Sequence, residues 1–270
     1  MKTAFHLGLV AWGLAFACSL FGADEVWSES RTIDSPVELQ GRTLRVRPGV
    51  TVSFRGRGSL HVRDASLVCN RVSFEADSVL TNAFRISVGG KVELRDCVFR
   101  NIRAVNPAGQ HFIRGGVLVG GANSRIVHCT FVGCSPVMMT NAHGSEIERN
   151  LAVGGDMGFS LLQCRDVRMA GNEFYGLSNV GVTLSHIKAS ELFMNRFTDC
   201  KTGVCHYYCE DMRLTGNAFF GGEAGIVRRD CEESFVDIGS RFEGVRRSVE
   251  VRDLRAKKGK AKDKKEGKSR

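Results

Sequence analysis

The residues best suited to chemistry gather late in the chain, in the segments "VTLSHI", "VCHYYC" and "IVRRDC". They follow two blander counterparts, "VMMTNA" and "FSLLQC". Together they carry His186, then His206, Tyr207 and Tyr208, then Arg228, Arg229 and Asp230, with Arg165, Lys188, Glu210 and Asp211 just beyond such segments. Cleavage of an acidic polysaccharide by elimination needs a cation to neutralise the uronate carboxylate and a base to remove the adjacent proton. Arg228 or Arg229 could supply the cation, and His206, Tyr207 or Tyr208 the base. The catalytic candidates are His206, Tyr208 and Arg229. His186, Tyr207, Arg228, Asp230, Arg165 and Lys188 are the candidates for binding a sugar, whose apolar faces suit aromatic rings.

The elements that would position them repeat. Asn150, Asn172, Asn195 and Asn217 step by 22, 23 and 22 residues, and Cys164, Ile187, Cys209 and Cys231 by 23, 22 and 22. Each repeat is a short apolar alternation, an Asn, an aromatic or small apolar residue two positions later, a Gly-rich turn and a second alternation. Alternating polarity marks strands with one buried face, and a period near 22 without helix signals points to stacked coils. No single coil can bury its inner face, so like residues must stack coil upon coil. Aligned this way, Phe99, Phe131, Ala152, Phe174, Phe197, Phe219 and Phe242 form one column. Two positions earlier, Cys97, Cys129, the four Asn and Ser240 form another, which reads as an amide ladder.

Strand parity divides the candidate site. If Val204 points inward, so does His206, while Cys205 and Tyr207 point outward; the same count turns Ile226 and Arg228 inward. Two readings follow: a sugar-sized face across the last coils, or a polar cluster that plugs the C-terminal end of the stack.

Charge and composition bound the rest. The net charge is +9, but residues 255–270 hold nine basic and two acidic residues, so the tail supplies +7 and Lys2 another +1. The near-neutral body argues against a basic groove, and no specific nucleic-acid partner is expected. The Lys-rich tail has too little apolar content to order itself and would attract anionic surfaces. Residues 1–23, one Lys followed by an uncharged apolar run, read as a signal peptide, with an uncleaved anchor or a lipoprotein as alternatives. Residues 24–40 read as an N-terminal entry or cap, residues 41–254 as the coils, and the break between Ile102 and Arg114 as a projecting loop.

The "LRVRPGVTVSF" opening, the "VGGKVELRDCVF" coil and the Asn-x-Phe units resemble the right-handed parallel β-helix (pectin-lyase-like) superfamily over roughly residues 37–252. Right-handedness comes from this resemblance alone. It implies fold more than function, since such proteins include pectate lyases, polygalacturonases and adhesins. The Asp pair and Gly-His-Gly of the polygalacturonase-like enzymes do not occur. The acidic residues that could hold calcium are Glu210, Asp211, Asp230, Glu232 and Glu233. Cys200, Cys205, His206 and Cys209 fit no standard zinc spacing, and no metal or other cofactor is expected. Cys209 over Cys231 has a separation compatible with a disulfide.

The sequence thus predicts an all-β, single-domain, right-handed parallel β-helix of about ten coils, exported to the periplasm, cell surface or medium and monomeric. A non-catalytic carbohydrate-binding or scaffold module is the leading expectation, with a lyase or hydrolase of an anionic polysaccharide as the alternative.

Overall fold

A computed structural model describes residues 24–80, 84–104, 115–231 and 236–252. All its elements are strands, thirty among the described residues. They form three parallel sheets of ten strands, and neighbours within a sheet are three strands apart in sequence. The chain therefore contributes one strand to each sheet per coil, and ten coils stack. The first sheet opens with Glu25–Trp27, the second with Arg31–Ile33 and the third with Pro36–Gln40.

Residues 24–40, expected as an N-terminal entry or cap, form this terminal coil, and their strands pair in register with 44–46, 52–54 and 59–63. Weak alternation hid them: the strand Pro36–Gln40 lies on the edge of its sheet with no residue fully buried. At the other end the last coil closes at Arg252. The proposed leader, the Lys-rich tail and most of the projecting loop lie outside the described residues.

Corners in the coil are made by single residues in left-handed backbone. The corner after the third sheet uses Asn141, Gln163, His186, Tyr208 and Asp230, at φ 54, 54, 54, 51 and 50°. Such a conformation costs a side-chain-bearing residue about 1–2 kcal/mol. The ladder offsets it, because each corner amide bonds the next coil: His186 N donates to Tyr207 O at 2.9 Å and Tyr208 N to Arg229 O at 3.2 Å.

Inside the stack the Phe column runs as expected, from Phe99↔Phe131 through Ala152 to Phe219↔Phe242. Phe74 extends it by one coil, and stacked neighbours sit 4.8–4.9 Å apart. Where Ala152 leaves a gap, Phe159 reaches in from the third sheet, edge-on to Phe131 and Phe174 at 5.6 and 6.2 Å. Opposite the rings runs a column of bare backbone, Gly158, Gly181, Gly203 and Gly225. A Cβ on Gly203 would lie 2.5 Å from the Phe219 ring. The Asn column is a continuous ladder, with Nδ2 of Asn150, Asn172 and Asn195 donating to Oδ1 of the next Asn at 2.9, 2.9 and 3.0 Å.

Candidate functional site

The third sheet carries the predicted chemistry, and its register splits those residues between two faces. Leu184↔His206↔Arg228 is an inner column, and Ser185↔Tyr207↔Arg229 an outer one. A second outer column runs Met138, Ser160, Thr183, Cys205 and Val227. Gly158 and its equivalents face the Phe rings, and the residue before each, Met157, Val180 and Ala224, turns outward with Cys205, Val227 and Tyr207 into a separate apolar cluster.

A groove of about 450 Å³ lies on this outer face. Met138, Met157, Leu162 and Val180 give it an apolar floor, Ser160 and Thr183 line its middle, and Tyr207, Tyr208, His186 and Arg229 close its C-terminal end. The Arg229 guanidinium lies 5.1 Å from the Tyr207 ring centroid, within cation–π range. At the rim, the His186 and Tyr208 rings lean on each other at 5.1 Å, and His186 Nδ1 meets Ser185 Oγ at 3.0 Å. Both rim residues project because they occupy the left-handed corner. Asn141, Gln163 and Asp230 share that conformation, so it belongs to the fold and not to a strained active site. A second hollow of about 340 Å³ adjoins through Tyr207, Arg229 and Asn179 and adds Lys201, Arg247 and Arg252.

Four of the nine predicted site residues therefore share one surface: His186, Tyr207, Tyr208 and Arg229. His206 does not join them. It is fully buried on the inner side, and burial together with the Arg228 charge pushes its pKa down to about 3. An imidazole sealed there cannot reach a polysaccharide, so the parity argument, and not the catalytic assignment, describes this residue. Arg228 and Asp230 are half-buried, Arg228 on the inner column and Asp230 at the corner beyond it. Arg165 and Lys188 are bridged to each other across the corner at the edge of the first sheet, and Lys188 Nζ pairs with Glu210 Oε2 at 3.0 Å. Tyr207 is a poor base: burial and its contact with Cys205 push its phenol up to about 12.

Sequence reasoning missed the floor. The signal was present, since "MGFSLL" and "VMMT" break the alternation by placing apolar residues outward. Also unforeseen was Arg85, wholly buried near the N-terminal coils, where its guanidinium donates to Gly58 O at 2.7 Å and Val79 O at 2.7 Å and pairs with Asp77 at 3.2 Å. This arginine ties together the backbone on both sides of residues 81–83 and has no access to a ligand.

No cluster of three or more His, Cys, Asp or Glu side chains able to hold a metal occurs among the described residues. Of the acidic residues that could hold calcium, Glu210 is engaged by Lys188, and Glu232 and Glu233 lie outside the described residues. Cys200, Cys205, His206 and Cys209 part company, with Cys205 outward and His206 inward. Cys209 and Cys231 stand as two thiols, not a disulfide. The neighbouring Cys209 thiol holds the Cys231 thiol below the ordinary cysteine range.

The model of one protein family, described as periplasmic copper-binding protein (NosD), matches residues 38–230. The chain belongs to the NosD family. Its periplasmic description agrees with the expectation of an exported protein, and no helix among the described residues is long and apolar enough to cross a membrane. No curated protein matches. Among solved structures, the periplasmic alginate epimerase AlgG is 11% identical, with a TM-score of 0.52 over 81% of this chain and 77% of its own. PfbA, a surface adhesin of Streptococcus pneumoniae, is 11% identical over 84% of each chain, with a TM-score of 0.46. The fold is thus the right-handed parallel β-helix that the sequence predicts.

The copper in the NosD family description can be tested against the donors present. Copper in its higher oxidation state favours imidazole and oxygen ligands in a square arrangement, and no such set is gathered among the described residues.

Proposed function

We propose that this protein is a non-catalytic periplasmic binding module that holds an extended anionic polysaccharide along the outer groove of the third sheet. The observation that carries the reading is the grouping of His186, Tyr207, Tyr208 and Arg229 around an apolar floor on one surface. Aromatic rings stack on the apolar faces of sugars, and a guanidinium pairs with carboxylates. Parallel strands repeat about every 4.8 Å, so neighbouring coils offer successive, similar contacts to a polymer.

A lyase is the second reading, favoured by the placement of Arg229 over Tyr207. Tyr207 holds its proton far above neutral pH, and His206 lies inside, so neither supplies a base matched to neutral conditions. The deciding experiment incubates the protein with acidic and neutral polysaccharides, recording retention on each and the ultraviolet absorbance of unsaturated uronates. Retention on acidic polymers without absorbance supports the module; absorbance that grows with time overturns it in favour of the lyase.

A further inference from the structure

The groove and the hollow beyond it form one track whose chemistry changes along the stacking axis. They share Asn179, Val180, Tyr207 and Arg229. The outer column that begins at Met138 and Ser160 runs on through Val227 to Glu250, and Tyr207↔Arg229 runs on to Arg252. Five steps of about 4.8 Å make the track about 24 Å long. Among the described residues that line the groove, Arg229 alone is of the Lys, Arg, Asp or Glu type, and it stands at the C-terminal end. The hollow is the opposite: Lys201, Arg229, Arg247 and Arg252 line it with Glu223 and Glu250, an excess of two positive charges. Glu250 is taken up by Arg247 Nη1 at 3.0 Å and by Arg252 Nε. Lys201 and Arg229 enter no ion pair among the described residues, and Arg229 Nε is buried without a hydrogen-bond partner.

We propose that the hollow is an anion subsite at the end of the groove, and that the ligand carries its negative charge at one end. A neutral oligosaccharide stretch lies over the groove floor, and a terminal uronate, sulfate or phosphate group sits among Lys201, Arg229 and Arg252. The inference rests on the reading of the groove as a glycan site and narrows it. A chain acidic at every residue would bring carboxylates over Met138, Met157 and Leu162, where no cation lines the groove. Each such carboxylate would lose water without finding a partner, or turn to solvent and contribute nothing. The hydroxyls of Ser160 and Thr183 and the amide of Asn179 suit the hydroxyls of neutral sugars instead. A terminal anion meets guanidinium groups from two successive coils, whose forked donors match a carboxylate or other oxyanion. Tyr207 stands at the junction, where the ring of the last sugar can stack while its acidic group enters the hollow. The hollow rewards one placement of charge and the floor penalises the others, which together make specificity.

The test is calorimetric titration of the full-length protein with oligosaccharides of equal length and several linkages. Each is made in three forms: neutral, carboxylated at one terminus (reducing or non-reducing), and carboxylated at every residue. The end-carboxylated form should bind about tenfold or more tighter than the neutral one, the size of one charge-assisted hydrogen bond. The fully carboxylated form should bind no tighter than the end-carboxylated one. Inorganic sulfate should compete with the end-carboxylated form. Lys201→Gln and Arg252→Gln should each bring its affinity down toward that of the neutral form, and Ser160→Arg, which adds a cation to the floor, should strengthen the fully carboxylated form selectively. Should Arg252→Gln not fold, Lys201→Gln and sulfate competition on the unaltered chain decide. Affinity that climbs with every added carboxylate overturns the inference and leaves the acidic-glycan reading standing. Equal affinity for the neutral and end-carboxylated forms removes the anion subsite, and no binding of any form removes the groove reading and this inference with it.

Discussion

Replacing Asn172 by Ala tests the account of how the coils are held in register. Its side chain makes four hydrogen bonds at 0% exposure. Nδ2 donates to Ile147 O at 2.8 Å and to Asn195 Oδ1 at 2.9 Å, while Oδ1 accepts from Asn150 N at 3.0 Å and Asn150 Nδ2 at 2.9 Å. Truncation strands the Asn150 amide and one Asn150 side-chain hydrogen; the Ile147 carbonyl keeps its place in the strand ladder and Asn195 Oδ1 keeps the Asn172 amide. Each stranded buried group costs about 1–3 kcal/mol, so two give roughly 2–5 kcal/mol after partial relaxation. That is a large part of the roughly 5–15 kcal/mol that keeps a domain folded. Urea unfolding followed by circular dichroism should show a lower midpoint with an unchanged slope. Asn172→Asp should cost more at neutral pH, because it loses both donors and buries a charge. Burial raises the pKa of such a carboxyl, so the penalty grows as pH rises above the unfolded value near 3.9 and shrinks in acid. A loss below about 1 kcal/mol for Asn172→Ala would refute the reasoning, since an exposed side chain could be trimmed for that much.

Other consequences follow from the same geometry. Gly203→Ala should destabilise by about 1–3 kcal/mol in thermal or urea unfolding, because its Cβ would meet the Phe219 ring at 2.5 Å and Gly225 O at 2.7 Å. Since the folded pKa of His206 is near 3 and the unfolded value near 6.5, the unfolded chain takes up a proton first. Stability should therefore fall by roughly 1.4 kcal/mol per pH unit from about 6.5 toward 3. His206→Leu, which repeats Leu184 of the preceding coil, should remove that part of the slope. A wild-type slope retained by this variant in pH-dependent unfolding would place the effect elsewhere.

Much of the fold was legible because one constraint wrote it many times. Every coil must stack like on like, so the Phe and Asn columns appear in the sequence at the register that the strands adopt. Ala152 looked like a mere substitution in that column. Its compensation by Phe159 was invisible, since the two residues come from different sheets and meet only across the interior. The glycine column was printed in "MGF", "VGV", "TGV" and "AGI". Its cause, a ring lying where each Cβ would be, needs three dimensions. The strands of the terminal coil showed little pattern because an edge strand has less to bury and so alternates weakly.

The candidate site was legible in part for the same reason. Parity correctly turned His206 inward and Tyr207 outward, which separated the sealed imidazole from the surface. The groove floor escaped because "VMMTNA" and "FSLLQC", which supply part of it, hold no charged or aromatic-polar group that marks them for chemistry. Met157 and Val180 turn outward only because the glycine after each faces the rings, so the pattern slips by one residue at that point. Arg85 gave no signal, as its buried partners are backbone carbonyls far apart in sequence.

The central claim is that the outer groove of the third sheet holds an acidic glycan without acting on it. Calorimetric titration of the protein with defined acidic oligosaccharides tests it most directly, comparing the unaltered chain with Tyr207→Ala and Arg229→Ala. The account predicts binding that weakens with added salt, a loss of about 1–3 kcal/mol in each variant, and intact oligosaccharide recovered afterwards. Equal affinity in both variants, or unsaturated fragments in the recovered sugar, would contradict it.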